Sequence, residues 1–248
     1  MDVCRASTII SVAMLGFAAA AAAGEIRGTV RLDGAPPAPT TLPVEPATDQ
    51  HPLEGCGTFP KQSQRLLTDP RGGVQHAVVW VERPALYQSG TGPAGHQAPV
   101  EQGAAVLDQR ECVFEPHVLL IPAGGTLAIR NPDPVLHNVR IFQERAMLMH
   151  EWQQPRGPDL TWRFDEPGRY VVRCGVHAWM HAWIVVAEHG YYALTDATGG
   201  FTISDVPQGD VVVHVWHESL GEQQQRVTVT PGQSVITVRL VYEHRRST

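Results

Sequence analysis

What this 248-residue sequence lacks narrows its chemistry before what it contains does. It has no Gly-x-Ser-x-Gly elbow, no phosphate loop, no His-Glu-x-x-His and no Cys-x-x-Cys-His haem attachment. No catalytic motif therefore points to an enzyme. It is short of positive charge: 19 Lys and Arg against 25 Asp and Glu give a formal charge of −6, which argues against a nucleic-acid partner. After the first residues, no run is long and apolar enough to span a bilayer. No stretch keeps an apolar repeat at helical spacing. Cysteine is scarce too, with four in the chain.

What is there begins with an export signal. Arg5 supplies a positive start and Thr8 to Phe17 an apolar core of secretory length, and Ala18 to Ala23 give an Ala-x-Ala cleavage site before Gly24. Residues 1–23 are therefore expected to be a cleaved signal peptide, and the mature protein periplasmic. Cleavage leaves Cys56, Cys112 and Cys174. In an oxidising compartment cysteines pair, so an odd one needs a reason, and metal ligation is a common one. Arithmetic suggests Cys56 with Cys112 and a free Cys174; the two other pairings stay open.

With 23 glycines and 20 prolines, the chain reads as short β-type runs bounded by turn residues: HAVVWVE, HVLLI, TLAIRN, HNVRIF, RYVVRC, AWIVVAE, VVVHVWHE, QRVTVT and SVITVRL. The fold class is all-β. One exception is expected, a turn or two of helix around Gln143 to Trp152. Residues 24–73 form an N-terminal β segment with a Pro-rich stretch. Residues 74–188 hold the densest strand pattern and every candidate ligand, and 191–242 form a compact β unit. Within the last unit, VTVTPGQSVITVRL reads as a hairpin around Pro231-Gly232, with Ile236, Val238 and Leu240 on one face.

The chemistry gathers in CGVHAWMH, Cys174 to His181. In RYVVRC, Tyr170, Val172 and Cys174 share one face of an alternating strand. The thiol thus closes an inward apolar column, and a tight loop can then fold His177 and Met180 back to the same point. A second imidazole must come from elsewhere. His137 in NPDPVLHNVRIF opens a strand after a Pro-rich turn and can hang at the same end. Two His, one Cys and a weak Met form the donor set of a blue-copper centre, whereas zinc seldom takes Met. Asn138, behind His137, has a side chain able to pin one ligand loop to the other.

CVFEPHVLLIPAGGTLAIRNPDPVLHNV and FDEPGRYVVRCGVHAWMHAWIVV together resemble the cupredoxins, the plastocyanin, pseudoazurin and amicyanin family, over roughly Cys112 to Val186. The resemblance implies a Greek-key β-sandwich with one type 1 copper held by His137, Cys174, His177 and Met180. It also implies a protein redox partner, with His177 near the surface as the electron port. Cys-x-x-His-x-Trp-Met, with Tyr191-Tyr192 downstream, is similar to exported proteins labelled methylamine-utilisation proteins. GGFTISDVPQGDVVVHVWHE resembles the carboxypeptidase-regulatory-like, or transthyretin-like, β-sandwich, usually non-catalytic.

The expectation is an exported electron-transfer protein with no turnover of its own. Two other functions compete. One is copper handling or delivery, favoured if Met147, Met149 and His150 stand exposed beside the site; His117 is a further candidate for such a cuprous site. The other is a metal-free structural or carbohydrate-binding module, in which Cys174 is oxidised. Trp179, between two ligands, is expected to face out as a docking patch, His181 to lie at the surface or just behind the ligands, and His214 and His217 to lie at the surface. A multicopper oxidase would need His-x-His motifs that the sequence does not contain.

Overall fold

A computed structural model describes residues 23–35, 37–42, 44, 53–82, 105–230 and 235–242. The expected signal peptide lies outside them, apart from Ala23, as does the Pro231-Gly232 turn. The described residues contain strands and turns and no helix. The chain first lays down β1 (Ala23–Leu32) and β2 (Val78–Val81). Nine strands follow: β3 (Ala105–Arg110), β4 (Val113–Glu115), β5 (Val118–Pro122), β6 (Gly125–Arg130), β7 (His137–Gln143), β8 (Ala146–Gln153), β9 (Leu160–Phe164), β10 (Gly168–Cys174) and β11 (His181–Ala187). Five more close the chain: β12 (Tyr192–Leu194), β13 (Gly200–Pro207), β14 (Gly209–His217), β15 (Gly221–Val229) and β16 (Val235–Tyr242). The fold is all-β, as the sequence indicates.

The nine middle strands form one sandwich, sheet β5-β11-β10-β7-β8 facing sheet β4-β3-β6-β9. Leu107, Phe114, Ile121, Leu127, Ile129, Ile141, Phe164 and Ile184 fill the space between them. Tyr170, Val172 and Cys174 point into this core along β10, as alternation requires. On the opposite side Arg169 reaches Glu222 at 3.0 Å and lies over the Trp216 ring.

The remaining strands form a second sandwich, β13-β1-β16 facing β12-β2-β14-β15. Its core holds Ile26, Val30, Val79, Val81, Phe201, Ile203, Val213 and Val215. HAVVWVE, expected with the ligand-bearing region, therefore belongs elsewhere: β2 pairs with β12 and β14. The physical reason is that both faces of β2 are apolar. Val79 and Val81 enter this core, while Val78 and Trp80, with Trp216 of the neighbouring β14, pack on Val118, Trp183 and Val185 across the junction of the two sandwiches. AWIVVA of β11 is the matching run, with Ala182, Ile184 and Val186 in one core and Trp183 and Val185 at the junction. A continuous apolar run is what a strand covered on both faces requires.

Two local expectations fail. Gln143 to Trp152 is a hairpin arm, not a helix: β8 pairs antiparallel with β7 after a turn in which Glu144 takes φ 52°. β8 is an edge strand with Met147, Leu148 and Trp152 exposed, so its pattern lacks the clean period of two. Nor do β15 and β16 form a hairpin. β16 runs parallel to β1 from Glu25↔Val235 to Leu32↔Tyr242, in the opposite sheet from β15. Leu240 is buried; the Ile236 and Val238 side chains fall outside the description.

Tyr242 ties the two sheets of this sandwich. Its hydroxyl lies 2.9 Å from the Gly221 carbonyl and 3.3 Å from that of Val215, and can donate to either. Tyr242→Phe is expected to cost about 1 kcal/mol, read as a lower urea midpoint at unchanged slope.

Candidate metal centre

β7 and β10 are neighbours, with Cys174 opposite Val139, so the start of β7 and the end of β10 meet at one edge of the sheet. This brings His137 beside Cys174. The chain then turns: the Met180 amide donates to the His177 carbonyl at 3.0 Å, and the Cys174 amide to the Met180 carbonyl at 3.2 Å. Glycine at 175 leaves room there for the Arg140 guanidinium and the Asn138 side chain, both of which a Cβ would have to displace. The closed loop swings His177 back over the thiol.

Three donor atoms converge. His137 Nδ1 and His177 Nδ1 are 3.1 Å apart, and Cys174 Sγ is 3.7 Å and 3.8 Å from them. One ion with bonds of about 2.0 Å to nitrogen and about 2.3 Å to sulfur reaches all three. All three residues are buried, and Met180 is buried in the same core cluster. Burial opposes ionisation of Cys174, but hydrogen bonds from His137, His177 and the backbone amides of Asn138 and His177 outweigh it and bring its pKa down to about 5. The site therefore presents a thiolate at neutral pH.

Behind His137 stands a residue that the sequence reading did not single out. Burial works against ionisation of the Asp133 carboxyl. Hydrogen bonds from His137 Nε2 at 2.9 Å and the amides of Cys112 and Glu111 hold it ionised, below the usual range. The same contact, with the Cys174 thiolate, raises the His137 pKa against the opposing pull of burial. Asp133 thereby fixes the proton on Nε2 and turns Nδ1 toward the site. Asn131 braces the turn, donating to the carbonyls of Val135, Gln153 and Gln154. The signal was the acid four residues before a candidate ligand, in NPDPVLH. Asp133→Asn keeps one carbonyl acceptor where three donors converge. It is expected to cost about 2 kcal/mol of stability in urea titrations and to weaken metal binding roughly 10-fold.

Asn138 joins the two ligand loops through its backbone rather than its side chain. Its carbonyl accepts from Gly175 N at 3.1 Å, while the side chain binds the Glu151 carbonyl and Arg140 Nε. Met147, Met149 and His150 do not assemble a site, since Met149 enters the core while Met147 and His150 face solvent.

The edge of His177 is closed, contrary to the expected surface port. His177 is only 2% exposed. Cys56 and Cys112 form a disulfide whose sulfurs lie 3.7 Å and 3.9 Å from His177 Nε2. Trp179, expected outside, is buried against His177, with its indole N–H donating to the Cys112 carbonyl at 2.9 Å. His217 is buried as well, not at the surface, and His181 is half-buried.

No protein-family model matches this chain, and no curated protein does. Solved structures similar to part of it include a reduced Cu(I) form of an amicyanin mutant, at 26% identity over 36% of this chain and 87% of that one, with a TM-score of 0.32. A Cu-containing nitrite reductase from Thermus scotoductus SA-01 matches at 25% identity over 36% of this chain and 23% of its own, TM-score 0.32. A purple cupredoxin from Nitrosopumilus maritimus matches at 23% identity over 34% of this chain and 99% of its own, TM-score 0.31. At these scores the architecture rests on the strand pairing itself.

Proposed function

We propose that the protein is an exported, periplasmic electron-transfer protein that holds one type 1 copper ion through His137, Cys174 and His177, with Met180 as a weak axial ligand, and has no turnover of its own. The observation that carries this reading is the convergence of two imidazole nitrogens and a low-pKa thiol within 3.1–3.8 Å in a buried pocket. The sequence resemblance to cupredoxins points the same way. Copper bound there would supply a one-electron couple, tuned by the axial ligand and by hydrogen bonds around the sulfur.

Each residue has a task that burial makes enforceable. Asp133 orients His137. The Val176 and His177 amides, each 3.4 Å from Cys174 Sγ, hold the thiolate in place. The disulfide and Trp179 keep water from the edge of His177. A site packed this way resists ligand movement, which favours electron transfer over metal release. Copper delivery, the competing reading, loses the exposed Met and His cluster that would favour it. The partner would be a protein.

The test is a Cu(II) titration of the protein followed in the visible. An intense thiolate-to-copper band saturating at one equivalent supports the proposal. A colourless protein that binds only Cu(I) would turn the reading to copper handling. No copper uptake, with Cys174 oxidised, would leave a structural β module.

A further inference from the structure

A second group of metal-capable side chains lies where the two sandwiches meet. His117 precedes β5 and His181 opens β11, both on the sandwich that carries the first site, while Glu218 follows β14 on the other. His117 Nε2 meets one oxygen of the Glu218 carboxylate, and His181 Nε2 is 3.2 Å from the other. The two rings stand edge to face with centroids 4.9 Å apart. The Glu218 side chain is 4% exposed, so a carboxylate is held almost wholly out of water. Trp183 Nε1 donates to it at 3.1 Å, and Arg65 Nε is 3.6 Å away.

We propose that His117, His181 and Glu218 form a second metal site, for a divalent first-row ion of the zinc class, with a fourth position open. Donor atoms from the three residues lie within 4.8 Å of one another. Neighbouring donors around a tetrahedral ion with bonds of 2.0–2.1 Å are about 3.3 Å apart, close to the 3.2 Å between His181 and Glu218; His117 touches its carboxylate oxygen more closely than that, so an entering ion must part this pair. Two imidazoles and a carboxylate are a set that zinc uses when a fourth position stays open. With no sulfur among them, the site selects against cuprous ion and so differs from the first one.

The surroundings support a built site. His76 packs beside His117 with ring centroids 5.5 Å apart and takes a left-handed φ of 64°, uncommon for a residue with a side chain. Its Nδ1 is buried with no hydrogen-bond partner among the described residues. Backbone strain beside a cluster of donors is the usual company of a functional site. An ion held here would clamp β11 of one sandwich to the β14–β15 turn of the other, one residue beyond Met180. The inference does not rest on the copper reading.

The test is zinc binding by the full chain, with free Zn2+ removed before analysis, in Cys174→Ser, which removes the thiolate of the first site, and in Cys174→Ser combined with Glu218→Gln or with His181→Gln. Cys174→Ser should still hold zinc, whereas adding Glu218→Gln or His181→Gln should each weaken its binding at least about 10-fold. Zinc should raise the Tm of Cys174→Ser by roughly 5 °C, and that of Cys174→Ser with Glu218→Gln hardly at all. Co2+ in Cys174→Ser should give visible ligand-field bands that Glu218→Gln reduces. His181 is half-buried, so its variant keeps the test open if Glu218→Gln does not fold. Zinc binding unaffected by both replacements, or no zinc bound although Glu218→Gln lowers Tm, would overturn the proposal and leave a buried His–Glu ion-pair network.

Discussion

Replacing Cys174 by serine is expected to abolish the visible band of the Cu(II)-loaded protein and to weaken copper binding by more than about 100-fold. The magnitude follows from what the thiol alone supplies. Groups that merely orient a ligand change metal affinity 10- to 100-fold, so loss of a ligand lies beyond that range. A thiol with a pKa of about 5 is ionised at pH 7, whereas a serine hydroxyl is not and gives no sulfur-to-copper transition. Fold stability should respond through the lost charge rather than through shape. Serine is close to cysteine in size, and the donors that surround Cys174 Sγ, namely His137, His177 and the Val176 and His177 amides, can still meet a hydroxyl. A neutral hydroxyl forgoes the charge, however: a thiol pKa lowered to about 5 stabilises the folded apo-protein by roughly 2–3 kcal/mol at pH 7, so the metal-free variant should lose up to that amount. Titration by visible absorption, with urea unfolding of the apo-proteins, separates the two effects. A variant that keeps its copper band would show that sulfur is not a ligand and would sink the proposed function.

How much of the fold the sequence makes legible depends on how many faces a strand buries. On β10 Arg169 and Arg173 flank the outer face, where Val171 alone is buried, so Tyr170, Val172 and Cys174 stand out by alternation. In β2 and β11 both faces are covered, and the runs VVWV and AWIVVA show strands without showing which sandwich each face serves. The β1–β16 ladder is a parallel pairing between the two ends of the chain. No local turn chemistry records such a contact, whereas Pro231-Gly232 suggests a hairpin that the sheet order does not contain. β8 lacks a strand signature for a related reason: an edge strand with residues exposed on both sides loses its period.

The candidate site divides along the same line. Cys174 and His177 are three residues apart, and the strand that starts at His137 pairs with the one that ends at Cys174, so local pattern and adjacent pairing carry the first site. Asp133 was within reach, as an acid one turn before a candidate ligand. The cover on His177 was not, because Cys56 lies 121 residues away in the sequence and arrives from a segment with little regular structure. The His117, His181 and Glu218 group needs two sandwiches to dock before it exists. Sequence reading sees three unrelated positions there.

Removing the disulfide, as Cys56→Ser with Cys112→Ser, is the second change with a large expected effect. The bridge closes a loop of sequence separation 56. Chain entropy for a loop of that size predicts a loss of about 4 kcal/mol, a large share of the 5–15 kcal/mol typical of a domain. Both sulfurs are fully buried beside Phe59, Phe114 and Trp179, so two hydroxyls in their place add a further penalty rather than relief. The consequence for the site is separate from stability. Around Cys56 the chain is also held by Leu53 and Phe59 packed on the core, with Phe59 edge-to-face on Trp179, by the Thr41–Gln62 bridge, and by a Lys61–Glu111 ion pair at 3.2 Å that is exposed on the Glu111 side and weak for that reason. Once freed, this segment should lift from His177 Nε2 and admit water. Urea unfolding should show the lost stability as a lower midpoint, and chemical modification of the apo-protein should reach His177 faster in the variant than in the natural protein. An unchanged modification rate alongside the lost stability would mean that Trp179 alone seals the ligand, and that the disulfide serves the fold without guarding the metal.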